Sequence, residues 1–153
     1  MKKLFLLLAA CMLTAAATAQ KITQKDLQGT WKLASFSVSG LSLDVATENI
    51  TFSKEMQAKY PGEALEQIKL SMLESVEGFK TARTYVEGST IRQVVGPDED
   101  KGTFTITDKG TEQFIVISNP EGIAAEMQIF FKDKQLHIIQ KDEEQEVDFA
   151  YIK

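Results

Sequence analysis

From Thr81 to the C-terminus the chain repeats one unit: a run of six to eight residues rich in β-branched and aromatic side chains, then a short break. The runs are residues 81–87, 89–95, 102–107, 112–118, 125–132, 135–141 and 146–152. The breaks are Gly88, Gly96-Pro97-Asp98, Asp108-Lys109-Gly110, Asn119-Pro120-Glu121-Gly122, Asp133-Lys134 and Asp142-Glu143-Glu144. Each break holds residues that turn a chain: glycine reaches positive φ, proline presets φ, and Asn or Asp bonds its own backbone. Connections this short join antiparallel neighbours, so the seven runs predict an up-and-down meander.

An eighth strand is predicted earlier, at Gly29–Val38, where alternation puts Trp31 and Leu33 on one face and Ala34, Phe36 and Val38 on the other. Residues 41–45 and 49–52 are shorter candidates that raise the count from eight toward ten. An open meander leaves two unpaired edges, and pairing the first strand with the last removes both. The predicted fold class is therefore mainly β: an antiparallel, up-and-down, eight-stranded (8–10) barrel. It carries a helical insertion, because Leu65, Ile68, Met72, Val76 and Phe79 recur at spacings of three and four. Pro61-Gly62 splits that insertion into segments near 53–59 and 62–77, with Gly78 as the expected terminator.

The N-terminus has the layout of a secretory signal peptide: Lys2 and Lys3, an apolar run from Leu4 to Leu13, and small residues Ala17-Thr18-Ala19. The run is too short for a stable membrane span, which needs about 20 residues. The expected division is 1–19 as signal peptide and 20–153 as one barrel domain, exported to the periplasm, envelope or exterior. Leu8-Ala9-Ala10-Cys11 also resembles a bacterial lipoprotein box, but the residues after Cys11 stay apolar where a polar tether is wanted. Cys11 is the only cysteine, so the remainder has no disulfide and depends on packing. The chain carries a net charge of −5, and loss of the lysine-bearing leader makes it more acidic still. Such a surface repels phosphate backbones, which argues against nucleic acid as a partner.

The segment Leu27-Gln28-Gly29-Thr30-Trp31-Lys32-Leu33 resembles the opening of the calycin barrels, the lipocalins and fatty-acid-binding proteins, whose first strand begins Gly-x-Trp. Here the signature is Gly29 and Trp31, and the resemblance implies that Trp31 closes one barrel end in a mainly structural role. A helix between the first strand and the rest is similar to the fatty-acid-binding proteins, where it caps the barrel mouth. Their ligand-gripping Arg-x-Tyr falls on Phe149 and Tyr151, which keeps the tyrosine and lacks the arginine. As a whole the chain resembles the bacterial lipocalin-like proteins, which implies a small hydrophobic ligand inside the barrel.

Catalytic residues are not evident. His137 is the only histidine and is expected to point outward, without the partners a triad or metal site needs. The acids Asp98-Glu99-Asp100 and Asp142-Glu143-Glu144 are expected in solvated turns and do not match a calcium loop. No metal or cofactor is expected. Alternation assigns to the barrel interior Phe104 with Ile106, Phe114 with Val116, Met127 with Ile129 and Phe131, and Phe149 with Tyr151. Arg83 and Tyr85 share a face; turned inward, Arg83 could meet a ligand carboxylate, and turned outward it is an ordinary surface residue. The function expected is an exported, non-catalytic binder of a small hydrophobic or amphipathic ligand. The alternative is a filled barrel acting as an envelope protein–protein interaction or structural module.

Overall fold

The computed structural model describes residues 21–143 and 145–153. The expected leader, with Cys11, lies outside them. Ten strands form one antiparallel sheet: β1 (Gly29–Val38), β2 (Leu41–Asp44), β3 (Asn49–Phe52), β4 (Arg83–Glu87), β5 (Thr90–Val95), β6 (Asp98–Lys109), β7 (Glu112–Ser118), β8 (Ala124–Lys132), β9 (Gln135–Lys141) and β10 (Glu146–Ile152). Among the described residues, three helices accompany them: α1 (Gln24–Leu27), α2 (Lys54–Lys59) and α3 (Gly62–Thr81).

The sheet closes where β10 pairs with β1, from Lys32↔Ile152 to Val38↔Val147. On its other edge β1 is shared between two partners. Gly29 to Lys32 pair with β4, and Ser35 to Val38 pair with β2. Eight strands thus form a closed barrel, and the short β2–β3 pair extends it beside the second half of β1. This is the predicted fold class, with the helical insertion after β3.

The two faces predicted for β1 are corrected by a β-bulge. Leu33 pairs with Tyr151 and Ser35 with Ala150, leaving Ala34 as the extra residue. One inserted residue reverses the phase of a strand. Phe36 and Val38 therefore return to the same side as Trp31 and Leu33, and Phe36 stands opposite Phe149. The Ala34 carbonyl accepts the Val45 N–H at 2.8 Å, which ties the bulge to the end of β2.

Two further boundaries differ from expectation. Helix α3 runs through Gly78 to Thr81, because other groups satisfy its last carbonyls. The Thr81 hydroxyl donates to the carbonyls of Glu77 and Gly78, and Arg83 Nη1 donates to those of Lys80 (2.8 Å) and Ala82 (2.7 Å). Asp98, Glu99 and Asp100, expected in a turn, begin β6; the turn is only Gly96-Pro97, and Asp98 pairs with Val95. Their charges stay exposed on the strand, and Glu99 meets Arg92 at 3.1 Å.

Apolar side chains collect in two clusters. At the end where β1 begins, Ile22, Leu27, Trp31, Val86, Phe104, Ile115, Ile129 and Leu136 are buried together. Toward the other end, Phe36, Leu41, Leu43, Val45 and Ile50 receive Val76 of α3, with Ile68, Met72, Leu73 and Phe79 packed around it. The Phe36 ring lies 5.2 Å from Phe79, edge-on, and 6.3 Å from Phe149. The predicted helical stripe is thus buried against the β1–β3 extension.

Candidate functional site: a cavity inside the barrel

The N-terminal segment closes the barrel end at which β1 starts. The side chain of Gln113 on β7 acts as a substitute peptide group for Ile22: the Ile22 N–H donates to its Oε1 (2.6 Å), and its Nε2 donates to the Ile22 carbonyl (3.1 Å). Gln28 does the same for Gly88 in the β4–β5 turn, at 2.7 and 3.0 Å. Helix α1 is short, and the Asp26 carboxylate accepts both the Thr23 N–H and its hydroxyl, which holds that carboxyl below the usual range. Gly29 then sits at φ +114°, a conformation that glycine reaches without strain. This brings the chain into β1 with Trp31 pointing inward, its Nε1 donating to the Leu27 carbonyl at 2.7 Å. Trp31 is 3% exposed, and Lys153 Nζ lies 4.7 Å from its ring centre.

Above Trp31 the barrel is hollow. A cavity of about 190 Å³ is walled by Trp31, Val86, Ile91, Phe104, Ile115, Ile117, Met127, Ile129, Leu136, Ile138 and Phe149. Thr84, Gln93, Gln140 and Tyr151 add its polar groups, and no charged side chain lines it. Gln93 and Gln140 are exposed and stand on β5 and β9, opposite walls of the ring, so they mark its mouth. An open surface cleft edged by Gly102 and Pro120 shares Ile91, Gln93 and Ile117 with the cavity. Gly102 is required there: a Cβ would lie 2.6 Å from the Ser118 carbonyl oxygen of the neighbouring strand.

Thr84 and Tyr151 lie deeper. Thr84 is 8% exposed and stands opposite Trp31 on β1, while Tyr151 stands opposite Leu33, the next inward residue of the same strand. Neither hydroxyl has a hydrogen-bond partner among the described residues, and both keep surface open to the cavity. Burial pushes the Tyr151 phenol up to about 12, so it is a neutral hydroxyl at physiological pH.

Of the residues assigned to the interior from sequence, Phe104, Met127, Ile129, Phe149 and Tyr151 line this cavity. Four do not. Arg83 turns to the end of α3, and Tyr85 lies outside beneath the Arg92 guanidinium, 4.1 Å from its ring centre. The inward residues of β4 are instead Thr84 and Val86. Phe114 faces outward under Lys109, because β7 presents Ile115 and Ile117 to the interior. Phe131 keeps the phase of Ile129 but lies beyond the closed end, 6.2 Å from Trp31 and 43% exposed. Sequence reasoning missed Thr84, Gln93 and Gln140; the polar-apolar order of residues 83–86 was the available signal for Thr84.

His137 lies on the outer face, as its neighbours imply. It has a partner not foreseen: its Nδ1 is 3.0 Å from Asp148 Oδ1, and its ring stacks on Phe130 at 4.9 Å. The pair lies on the face of β9 opposite to Leu136 and Ile138, which line the cavity. Among the described residues, no group of three or more His, Cys, Asp or Glu side chains could hold a metal ion, and no helix is long and apolar enough to cross a membrane. Comparison of the chain with protein-family models, curated proteins and solved structures finds no match.

Proposed function

We propose that this chain is an exported, non-catalytic, lipocalin-like protein that binds a small, largely apolar molecule inside its barrel. The observation that carries this reading is the cavity of about 190 Å³ with an apolar wall and a few polar groups, open at one end between Gln93 and Gln140. Concave, mostly apolar sites with a few placed polar groups are the usual form of small-molecule sites. Export rests on the layout of residues 1–19, and the lipocalin-like assignment on Gly29, Trp31 and the closed eight-stranded barrel.

Size narrows the ligand. An apolar cavity of about 150 Å³ accepts a benzene ring, so the space here suits one ring or a short chain and not an extended lipid. Burying about 150 Å² of ligand surface at roughly 25 cal/mol per Å² gives about 4 kcal/mol, a dissociation constant near 1 mM. The test is calorimetric titration with toluene or ethylbenzene, compared with the Ile117→Trp variant, which places an indole in the cavity mouth. Saturable binding that the variant abolishes, with little change in its denaturation midpoint, is expected. Failure of both molecules to bind, or equal binding by the variant, overturns the proposal.

A further inference from the structure

We infer that the ligand is an uncharged molecule whose polar atom accepts a hydrogen bond from the Tyr151 hydroxyl. This rests on the binding function proposed above and specifies the chemistry of its ligand. Three observations support it. The wall contains no Lys, Arg, His, Asp or Glu, so nothing inside would offset a ligand's charge. Arg83, the cation closest in sequence to the inward residues of β4, is committed to the carbonyls at the end of α3. The hydroxyls of Thr84 and Tyr151, bordering the same stretch of β1, lack protein partners while remaining open to the cavity.

The direction of the bond follows from the phenol. Its oxygen lone pair is drawn into the ring, which makes it a better donor than acceptor. With its pKa raised by burial it keeps that proton at every physiological pH. A ketone, ester, ether or amide oxygen on a ring-sized apolar body matches a phenol donor in an apolar chamber. The Thr84 hydroxyl can serve as donor or acceptor and can take a second polar atom of the same ligand. A carboxylate is disfavoured inside, since it would be stripped of water with no cation to meet it. Gln93 and Gln140 at the mouth remain hydrated and add no charge.

The test uses three molecules of similar size: ethylbenzene, acetophenone and benzoate, titrated calorimetrically into the folded chain and into Tyr151→Phe. Tyr151→Phe is expected to weaken acetophenone about tenfold, the value of one well-made hydrogen bond, and to leave ethylbenzene within about twofold. On the unaltered protein benzoate is expected to bind at least about tenfold more weakly than acetophenone. This second comparison holds whether or not the variant folds. Benzoate matching acetophenone, or a Tyr151→Phe variant that treats acetophenone and ethylbenzene alike, overturns the inference while leaving an apolar binding site in place. Failure of all three to bind removes the binding function itself, and the inference with it.

Discussion

Replacement of Trp31 tests how the barrel end is sealed. The indole is 3% exposed, lies against Leu27 and Ile22 of the N-terminal segment, and forms the floor of the cavity. A buried tryptophan removes about 150–250 Å² from water, worth roughly 4–6 kcal/mol at 25 cal/mol per Å². A compact unfolded state and the residual alanine methyl reduce this by up to about 40%. The Leu27 carbonyl also loses its donor, the Nε1 at 2.7 Å, at a cost of about 1 kcal/mol. Trp31→Ala should therefore lose about 3–5 kcal/mol, as buried aromatic truncations do. Trp31→Phe, which keeps a ring and loses the N–H, should lose about 1–2 kcal/mol. Urea unfolding followed by far-UV circular dichroism is the assay, since Trp31 is the only tryptophan and fluorescence disappears with it. At about 2 kcal/mol per M the alanine midpoint should fall by roughly 2 M. A midpoint within about 0.3 M of the parent would refute the packing argument, because experimental scatter cannot hide a loss of this size.

Tyr151 predicts a pH dependence with a definite sign. Its folded value is raised to about 12 from 10.0, so between those values the unfolded chain releases the proton first and stability falls as pH rises. The fall should reach roughly 2–3 kcal/mol by pH 12, and denaturation midpoints of Tyr151→Phe should lack that component; parallel curves for the two proteins would contradict it. Deletion of Ala34 should remove the bulge yet keep Phe36 and Val38 inward, because Leu33, Ser35 and Phe36 then alternate in step with Tyr151, Ala150 and Phe149. The loss should be about 1 kcal/mol, that of the Ala34 carbonyl bond to Val45. A cooperative thermal transition lowered by only a few degrees is expected, and loss of that transition would refute the register in which Ala34 is the extra residue.

Much of the architecture could be read from the sequence because each strand boundary carries its own chemistry. Gly110, Asn119-Pro120 and Asp133-Lys134 are turns on their composition alone, and the strands between them follow. Closure was legible because a meander with two open edges is a costly arrangement, and β1 with β10 was the only pair able to cover both. The bulge was not legible. Leu33-Ala34-Ser35 has no glycine or proline to mark an extra residue, and the extra residue is fixed by pairing to β10, over a hundred positions away. The end of α3 was missed for a related reason. Gly78 resembles a terminator locally, yet Thr81 and Arg83 supply the capping bonds that let the helix continue past it.

The interior face was legible only where a strand alternates. On β8, Met127 and Ile129 are separated by Gln128, and the phase is plain. On β7, Phe114, Ile115, Val116 and Ile117 are all apolar, so alternation gives no phase, and the interior face assigned to Phe114 and Val116 belongs to Ile115 and Ile117. Space inside a barrel is left where the inward residues are small, here Thr84 and Val86 on β4, while Phe104 and Trp31 consume it. A search for aromatic positions therefore finds the packed floor of such a site. Its capacity is decided by the threonine and valine beside them, and its selectivity by the few hydroxyls those small residues leave room to reach.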